Sequence, residues 1–583
     1  MDCRSAALAL SQIATLLELH GDDSTMVRAM QAGARLAATG GDRPLHDARR
    51  DGPLTDDAVD PAVCAVLTEL DDTHSASLLE RLQEETPEGL LEMLRIPGLG
   101  PSRIRQIHLG LQLETVHELE QAARDGRLAA LPRFGETTAK KILQGIADLH
   151  ATGAALLWQH GHAEAERLRE AIAAHPDVLQ VAIAGSIRRQ CELVRDLDLV
   201  AAVRSAPSTV SAALAQLPGV TSVVGGGGRS LRLRFDTGLS ADLWCVRPEH
   251  FAVALWRATG SRAHVEAVIA RIATHGLIVT GDELRRGDGS VVEVPDETTL
   301  YRLAGLAYCA PEVREDADDL ARAAQGATNG AAPVLVTEAD LVGALHCHSQ
   351  ASDGTATIAD MAQAAIDRGL RYLGISDHSQ SNLYAGGLTR DAIDAQHATI
   401  DALNAEYQRD GRDFRLLKGI EADILPCGRL DYDPALLARF DFVIGSIHTR
   451  YGMNARQMTD RVLRALENPH LTILGHPTGR LLLTREPYAI DLDAVLERAA
   501  AVGVAVELNA DPHRLDLNWQ GCRRAAHFGT MISIGPDAHA PQGLDHLTQG
   551  VATARKGWLG PAQILNSRSA DDVLAFARAR RSA

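Results

Sequence analysis

Leu345-His346-Cys347-His348-Ser349-Gln350-Ala351-Ser352-Asp353-Gly354 closes the first of seven short apolar runs in the last 240 or so residues. Its two histidines are two apart, so on an extended segment they project the same way. The pattern continues outward from there. Further runs lie at 372–376, 414–420, 442–447, 471–474, 503–508 and 531–534. All but 503–508 lead into another residue of metal-ligand type: His378, Glu421, His448, His476, then Asp537 with His539. Stretches of helical period at 357–368, 391–409, 456–467 and 491–501 separate them. Strands that alternate with helices imply parallel βαβ units. With a first strand near 341–347 the number is seven, which predicts a closed or nearly closed barrel. Catalytic groups in such barrels lie at the strands' C-terminal face.

His346, His348, Asp353, His378, Glu421, His448, His476, Asp537 and His539 all fall on that face. Six imidazoles and three carboxylates are too many for one tetrahedral zinc. A multinuclear cluster of zinc, manganese or iron fits better. Two ions a few Å apart can activate a water and stabilise the leaving oxygen of a phosphoester.

These blocks, with Ser-Asp-His, Gly-Ile-Glu, Ser-Ile-His, Gly-His-Pro-Thr-Gly-Arg and Asp-Ala-His, resemble the polymerase-and-histidinol-phosphatase (PHP) domain over about 340–575. The resemblance implies a distorted seven-stranded barrel with a three-metal centre. All nine ligand positions are filled. Ala344 stands where many members have Asp before Leu-His.

The whole chain has 583 residues, 45% of them hydrophobic, with a net charge of −18. That length calls for several domains. No apolar stretch reaches transmembrane length, and the N-terminus, Met-Asp-Cys-Arg, shows no secretory h-region. The eight cysteines form no CxxC pair, which favours reduced thiols in a cytoplasm. Residues 51–92 carry one arginine against twelve Asp and Glu, a face that repels a duplex. Any DNA contact must therefore use local basic patches and backbone amides.

In the front half, residues 6–38 read as two helices joined at Gly-Asp-Asp-Ser, with a loose acidic stretch at 40–60. Ile96-Pro97-Gly98-Leu99-Gly100-Pro101 and Leu131-Pro132-Arg133-Phe134-Gly135-Glu136 each look like a helix–hairpin–helix turn. Such turns bring amides at a helix N-terminus against a DNA phosphate and grip backbone rather than base. Gly98, Gly100 and Gly135 are the DNA-binding candidates; Arg133 stands where a glycine is usual. Further on, a strand leads into Gly185-Ser186, and a second carries Asp196 and Asp198 on one face. Asp242 lies on a later strand. Three convergent carboxylates can bind two magnesium ions.

Gly185-Ser186-Ile187-Arg188-Arg189, the Asp196/Asp198 pair, Ala258-Thr259-Gly260-Ser261-Arg262-Ala263-His264 and residues 303–315 resemble a family X DNA polymerase, the family of DNA polymerase beta, over about 5–315. A palm of that family fused to a PHP barrel is similar to the bacterial and archaeal polymerase X proteins. The resemblance implies that Asp196, Asp198 and Asp242 hold two metals, and that Gly185, Ser186 and Arg189 touch the triphosphate. Arg195 replaces a usual Gly, Arg257-Ala258 an aromatic pair, and Val265 a usual Asn. The four lysines are Lys140, Lys141, Lys418 and Lys556. The first 139 residues thus lack the amine side chain that a Schiff-base lyase needs.

The expected architecture is multidomain α/β. It comprises an N-terminal helical domain (1–85), a helix–hairpin–helix domain (86–150), a nucleotidyltransferase palm with a mixed sheet (151–245), a nucleotide-selecting subdomain (246–315), a linker (316–338) and a distorted (β/α)7 PHP barrel (339–577). The expected function is DNA repair: gap-filling polymerisation from dNTPs, with Mg²⁺ or Mn²⁺ in the palm, and 3′-5′ exonuclease action, with Mn²⁺ or Zn²⁺ in the barrel. Gapped or primer-template DNA is the partner, and no membrane is involved. The alternative is a PHP nuclease or phosphoesterase whose polymerase core serves only as a DNA-binding scaffold.

Overall fold

The computed structural model describes residues 1–22, 24–151, 153–224, 230–329, 334–382 and 385–582. It divides into two compact units, one of Met1–Glu136, Thr337–Val551 and Pro561–Ala583, the other of Thr137–Val336 and Ala552–Gly560. Among the described residues no helix is long and apolar enough to cross a membrane.

The first unit opens with helices Cys3–His20 and Ser24–Ala38, where the periodicity predicts them. Asp2 caps the first by accepting from the Ser5 N–H, and Gly21 closes it in the left-handed conformation. The stretch at 40–60, read as loose, instead contains a helix, Leu45–Asp51. Leu45, Ala48 and Leu54 are fully buried, so three apolar side chains anchor a segment whose acidic composition conceals them. Helices Pro61–Thr73, Ser77–Glu85 and Glu88–Met93 follow. The Glu80 carboxylate accepts the backbone N–H groups of Arg450 and Tyr451, at 2.6 and 2.7 Å, in a loop of the barrel. Burial pushes its pKa up, against those hydrogen bonds.

The two hairpin turns are conformational equivalents. Gly98 has φ 81° and Arg133 φ 69°, so the arginine adopts the left-handed conformation that the first turn gives to glycine. Gly100 caps helix Pro101–Leu111, and Gly135 directly precedes helix Glu136–Ala151. A side chain at Gly98, Gly100 or Gly135 would meet nothing within 4 Å, so the turns have open space beside these residues.

The second unit contains a short pair, β1 (Leu156–Leu157) with β3 (Leu193–Val194), and a mixed five-stranded sheet. The latter consists of β2 (Val178–Ile183), β4 (Leu197–Val203), β5 (Val220–Val224), β6 (Ser230–Phe235) and β7 (Ser240–Val246), in the order β2-β4-β7-β6-β5. Only β4 and β7 run parallel. One face packs on helix Trp158–Ala173 through Leu168, Ile172, Leu199 and Leu243. A three-stranded antiparallel sheet follows: β8 (Leu277–Thr280), β9 (Glu283–Arg286) and β10 (Val291–Val292).

The expected linker at 316–338 is corrected by a helix, Ala317–Asn329; residues 330–333 lie outside the described residues. Leu320 and Ala323 are buried in the core of this unit. The Asp319 carboxylate accepts the N–H groups of Glu315 and Asp316 and the indole N–H of Trp558. A segment that buries this much is structure, not tether.

The barrel has seven parallel strands in chain order: β11 (Gly343–Ala344), β12 (Tyr372–Ile375), β13 (Arg415–Asp423), β14 (Phe442–Ser446), β15 (Ile473–Leu474), β16 (Ala505–Asn509) and β17 (Ile532–Gly535). The strands are buried throughout apart from Arg415 and Lys418 near the start of β13, as a sheet covered on both faces requires. A parallel bridge between Cys347 and Ala538 nearly closes the circle.

Candidate functional site

The barrel gathers all nine expected ligands. His346 and His348 lie just past the short β11, Glu421 within β13, and His378, His448, His476, Asp537 and His539 in the segments after β12, β14, β15 and β17. Three groups of ligand atoms form, each within 4.8 Å: His348, Asp353, His378 and His539; His346, His348 and Asp537; His378, Glu421 and His448. His348 and His378 are shared, so the groups are contiguous. His476 joins through its Nε2, 3.0 Å from Glu421 Oε1. His346, His348 and Glu421 are almost wholly buried. Asp353 and His539 are about a third and two-fifths exposed at the side chain, which leaves one side of the site open.

The electrostatics suit cations. Burial works against charge on His378 and His539, yet Asp353 and Glu421 push His378 up to about 10, and Asp353 pushes His539 up to about 10. Burial alone would raise Asp353, Glu421 and Asp537; neighbouring histidines hold all three well below the carboxylate range. His346 Nε2 and His348 Nδ1 are buried with no hydrogen-bond partner among the described residues. The donor set therefore fits divalent cations, whose charge would replace the imidazole protons.

A layer of carboxylates and amides supports these side chains. His346 Nδ1 lies 2.6 Å from Glu507, and His448 Nδ1 lies 2.7 Å from Asp423. Each carboxylate aims the opposite ring nitrogen into the centre. Asp537 has φ 50°, and its Oδ2 accepts from Asn509 Nδ2 at 2.9 Å, with Arg514 Nε 3.5 Å away. Asp377 accepts the Ser349 N–H and the Ser352 hydroxyl at 2.7 and 2.6 Å, which fixes the loop that carries Asp353. The signal was strand alternation: Asp423 follows Glu421, and Asn509 follows Glu507, by two residues.

The palm is assembled differently. Asp198 and Asp242 are direct register partners on β4 and β7, while Asp196, expected on a strand, immediately precedes β4. Burial, then Asp196 and Asp242, push Asp198 up to about 7. Arg232 on β6 pairs with Asp242 through both oxygens, one of them at 2.8 Å, and reaches Asp196 at 3.8 Å. A guanidinium thus supplies the counter-charge, and among the described residues the three carboxylates do not form a close ligand group. Gly185 has φ 60° and abuts Asp198; an added Cβ would lie 1.8 Å from its Oδ2. Ser186 Oγ is buried without a hydrogen-bond partner among the described residues. Arg189 donates to Glu315 and to the Thr259 carbonyl, at 2.9 and 2.7 Å. Arg188 and Arg314 both clasp Glu297.

Family models agree with this anatomy. Residues 344–510 match the PHP domain, 90–148 the SAM-like helix-hairpin-helix tandem and 254–315 the DNA polymerase beta thumb. A "Probable phosphatase" of Syntrophotalea carbinolica is 30% identical over 247 residues, 40% of this chain and 94% of that protein. The solved "Crystal structure of Leishmania infantum polymerase beta: Ternary P/T complex" aligns with TM-score 0.26 and 17% identity, over 39% of this chain and 99% of that one. The "DNA polymerase/3'-5' exonuclease PolX" of Bacillus subtilis (strain 168) is 35% identical over 571 residues, 97% of this chain and 98% of that protein. With 35% identity along almost the entire length of both chains, the chain belongs to the family of the DNA polymerase/3'-5' exonuclease PolX.

Proposed function

We propose that this chain is a DNA polymerase and 3′-5′ exonuclease of repair, which fills short gaps from dNTPs and trims 3′ ends. The convergence of nine histidine and carboxylate side chains into one contiguous cluster carries the reading. Mn²⁺ or Zn²⁺ held by the three linked groups would supply an activated water and charge stabilisation for phosphodiester hydrolysis. Glu507 and Asp423 orient His346 and His448 for that task. The partly exposed Asp353 and His539 form the side where a strand end enters. In the palm, Asp196, Asp198 and Asp242 would hold Mg²⁺ or Mn²⁺ once Arg232 turns aside. Ser186 and Arg189 are assigned to the triphosphate, and the amides at Gly98, Gly100 and Gly135 to DNA phosphates. We assign residues 1–85, 86–150, 151–245, 246–315 and 339–577 to the five domains named above, and the cytoplasm as the compartment.

One observation favours a second reading, a nuclease whose palm is only a scaffold: Arg232 occupies the space among the palm carboxylates. A 5′-labelled gapped primer incubated with the full chain in Mn²⁺, with and without dNTPs, separates the two. Shortening without dNTPs and extension with them supports two chemistries. Shortening alone supports the scaffold. A primer left intact under both conditions refutes the nuclease.

A further inference from the structure

The segments that carry His448 and His476 continue past the metal centre to Tyr451 and Gly479. Between them lies a cavity of about 240 Å³, lined by Tyr451, Met453, Gly479, Arg485, Glu486 and Tyr488, among others. Arg485 Cζ stands 4.3 Å from the centroid of the Tyr451 ring. The Tyr488 ring lies 6.0 Å from Tyr451 and only 18° from parallel to it. All three side chains are held in place. Tyr488 donates its hydroxyl to the Pro477 carbonyl at 2.8 Å, Arg485 donates to the Gly479 carbonyl at 2.8 Å, and Tyr451 donates to the Ile447 carbonyl at 3.2 Å. A Cβ at Gly479 would come within 2.4 Å of Tyr488 Cε1 and 3.4 Å of Tyr451 Cε1, so the close approach of the rings depends on glycine there.

We propose that this cavity binds the terminal nucleobase of a DNA strand, with the Tyr451–Arg485 stack as its platform; the inference rests on the nuclease reading of the metal centre. Flat aromatic and guanidinium surfaces recognise flat π systems, and bases stack on both. A cation over the ring adds attraction for an electron-rich partner. Glu486 on the exposed rim repels a phosphate, whereas the ligand cluster three residues upstream of Tyr451 and of Gly479 attracts one. A nucleotide satisfies both, with its phosphodiester at the cluster and its base on the platform. Because the platform is held by backbone carbonyls, little ordering is needed on binding.

The test compares two 5′-labelled oligonucleotides in Mn²⁺ with the full chain. One ends in a 3′ thymidine; the other carries a tetrahydrofuran abasic residue at that position. The wild type should remove the thymidine with a kcat/KM about tenfold higher, through KM, as loss of one stacking contact implies. Tyr451→Leu should bring the ratio close to one, Tyr451→Phe should keep it, and Arg485→Met should lower it. A merely structural role would slow both substrates in proportion and leave the ratio unchanged, which would overturn the proposal. Equal wild-type rates on the two ends would overturn it as well. A wild type that shortens neither oligonucleotide refutes the nuclease reading itself, a different and recognisable result.

Discussion

Glu507 is buried beside His346 and holds its Nδ1 through a 2.6 Å contact. Loss of such an outer carboxylate weakens metal affinity by about 10–100-fold. Glu507→Gln should therefore lose 3′ hydrolysis at low Mn²⁺ and regain much of it as Mn²⁺ rises, whereas His346→Ala should stay inactive at every concentration. A metal titration of both variants reads this directly; identical curves for Glu507→Gln and wild type would remove Glu507 from the role. In the other unit, His264 accounts for a pH effect. Burial, then Arg314, depress its pKa to about 3 from 6.5, and its Nε2 meets the Tyr301 hydroxyl at 2.7 Å. A depressed imidazole contributes stability that is complete above the unfolded pKa and lost as pH falls toward the folded one. The stability gap between wild type and His264→Gln should thus be widest at pH 7.5 and shrink by pH 4.5, as measured by denaturant unfolding of the two proteins. The nine side chains that converge in the barrel were legible as a set because residues of metal-ligand type at successive strand ends are scarce by chance. Glu507, Asp423 and Asn509 were not, because each reads as an ordinary strand polar residue until its partner from another strand is known.

Among the elements, the two hairpin turns share one backbone conformation with unlike residues, Gly98 at φ 81° and Arg133 at φ 69°. The left-handed region costs a side-chain-bearing residue about 1–2 kcal/mol, offset in part by the entropy that glycine loses, about 0.5–1 kcal/mol. Gly98→Ala should destabilise the chain by about 1 kcal/mol, and since the site has open space, all of that cost is conformational. Arg133→Gly should leave stability nearly unchanged or slightly raised. Denaturant unfolding of the two variants decides; a neutral Gly98→Ala would show that the turn does not need its glycine. The strands of the barrel and the helices between them were legible from alternation of apolar runs and helical period. Helix Ala317–Asn329 was not. Its Asp, Ala and Gly content reads as a tether, although Leu320 and Ala323, three residues apart, both face the core, and Asp319 accepts from Glu315, Asp316 and the distant Trp558. Likewise, the helix at Leu45–Asp51 is set by its buried Leu45 and Ala48, with Leu54 just beyond it, which local composition outweighs.

For the molecule as a whole, a chain of net charge −18 that acts on a polyanion must draw its DNA affinity from a few local positive features, and the two chemistries need not be equally served by them. The barrel brings all nine candidate ligands into one cluster. The palm keeps its carboxylates but has altered surroundings. Val265 is part of a hydrophobic core with Val268 and Trp256, so it offers an incoming nucleotide no hydrogen bond. Ala258 packs against another apolar cluster and presents no ring. Arg257 is directed to the Gly281 carbonyl at 2.9 Å, and Arg232 spans Asp242 and Asp196. Stacking and hydrogen bonds to the nucleotide are each worth on the order of 1–3 kcal/mol, or roughly tenfold to a hundredfold in binding, and cations must compete with a guanidinium already paired to two of the three carboxylates. On one 5′-labelled gapped substrate in Mn²⁺ with micromolar dNTPs, 3′ removal should therefore outpace extension. Asp196→Ala with Asp198→Ala should abolish extension and leave removal measurable, which assigns each product to its centre. Arg232→Ala should narrow the difference if the guanidinium restrains metal uptake, and widen it if the arginine instead holds the carboxylates in place for the metals. Extension that exceeds removal severalfold in the wild type would show that the substituted pocket still selects nucleotides well, and that Val265, Ala258 and Arg257 matter less than their positions imply.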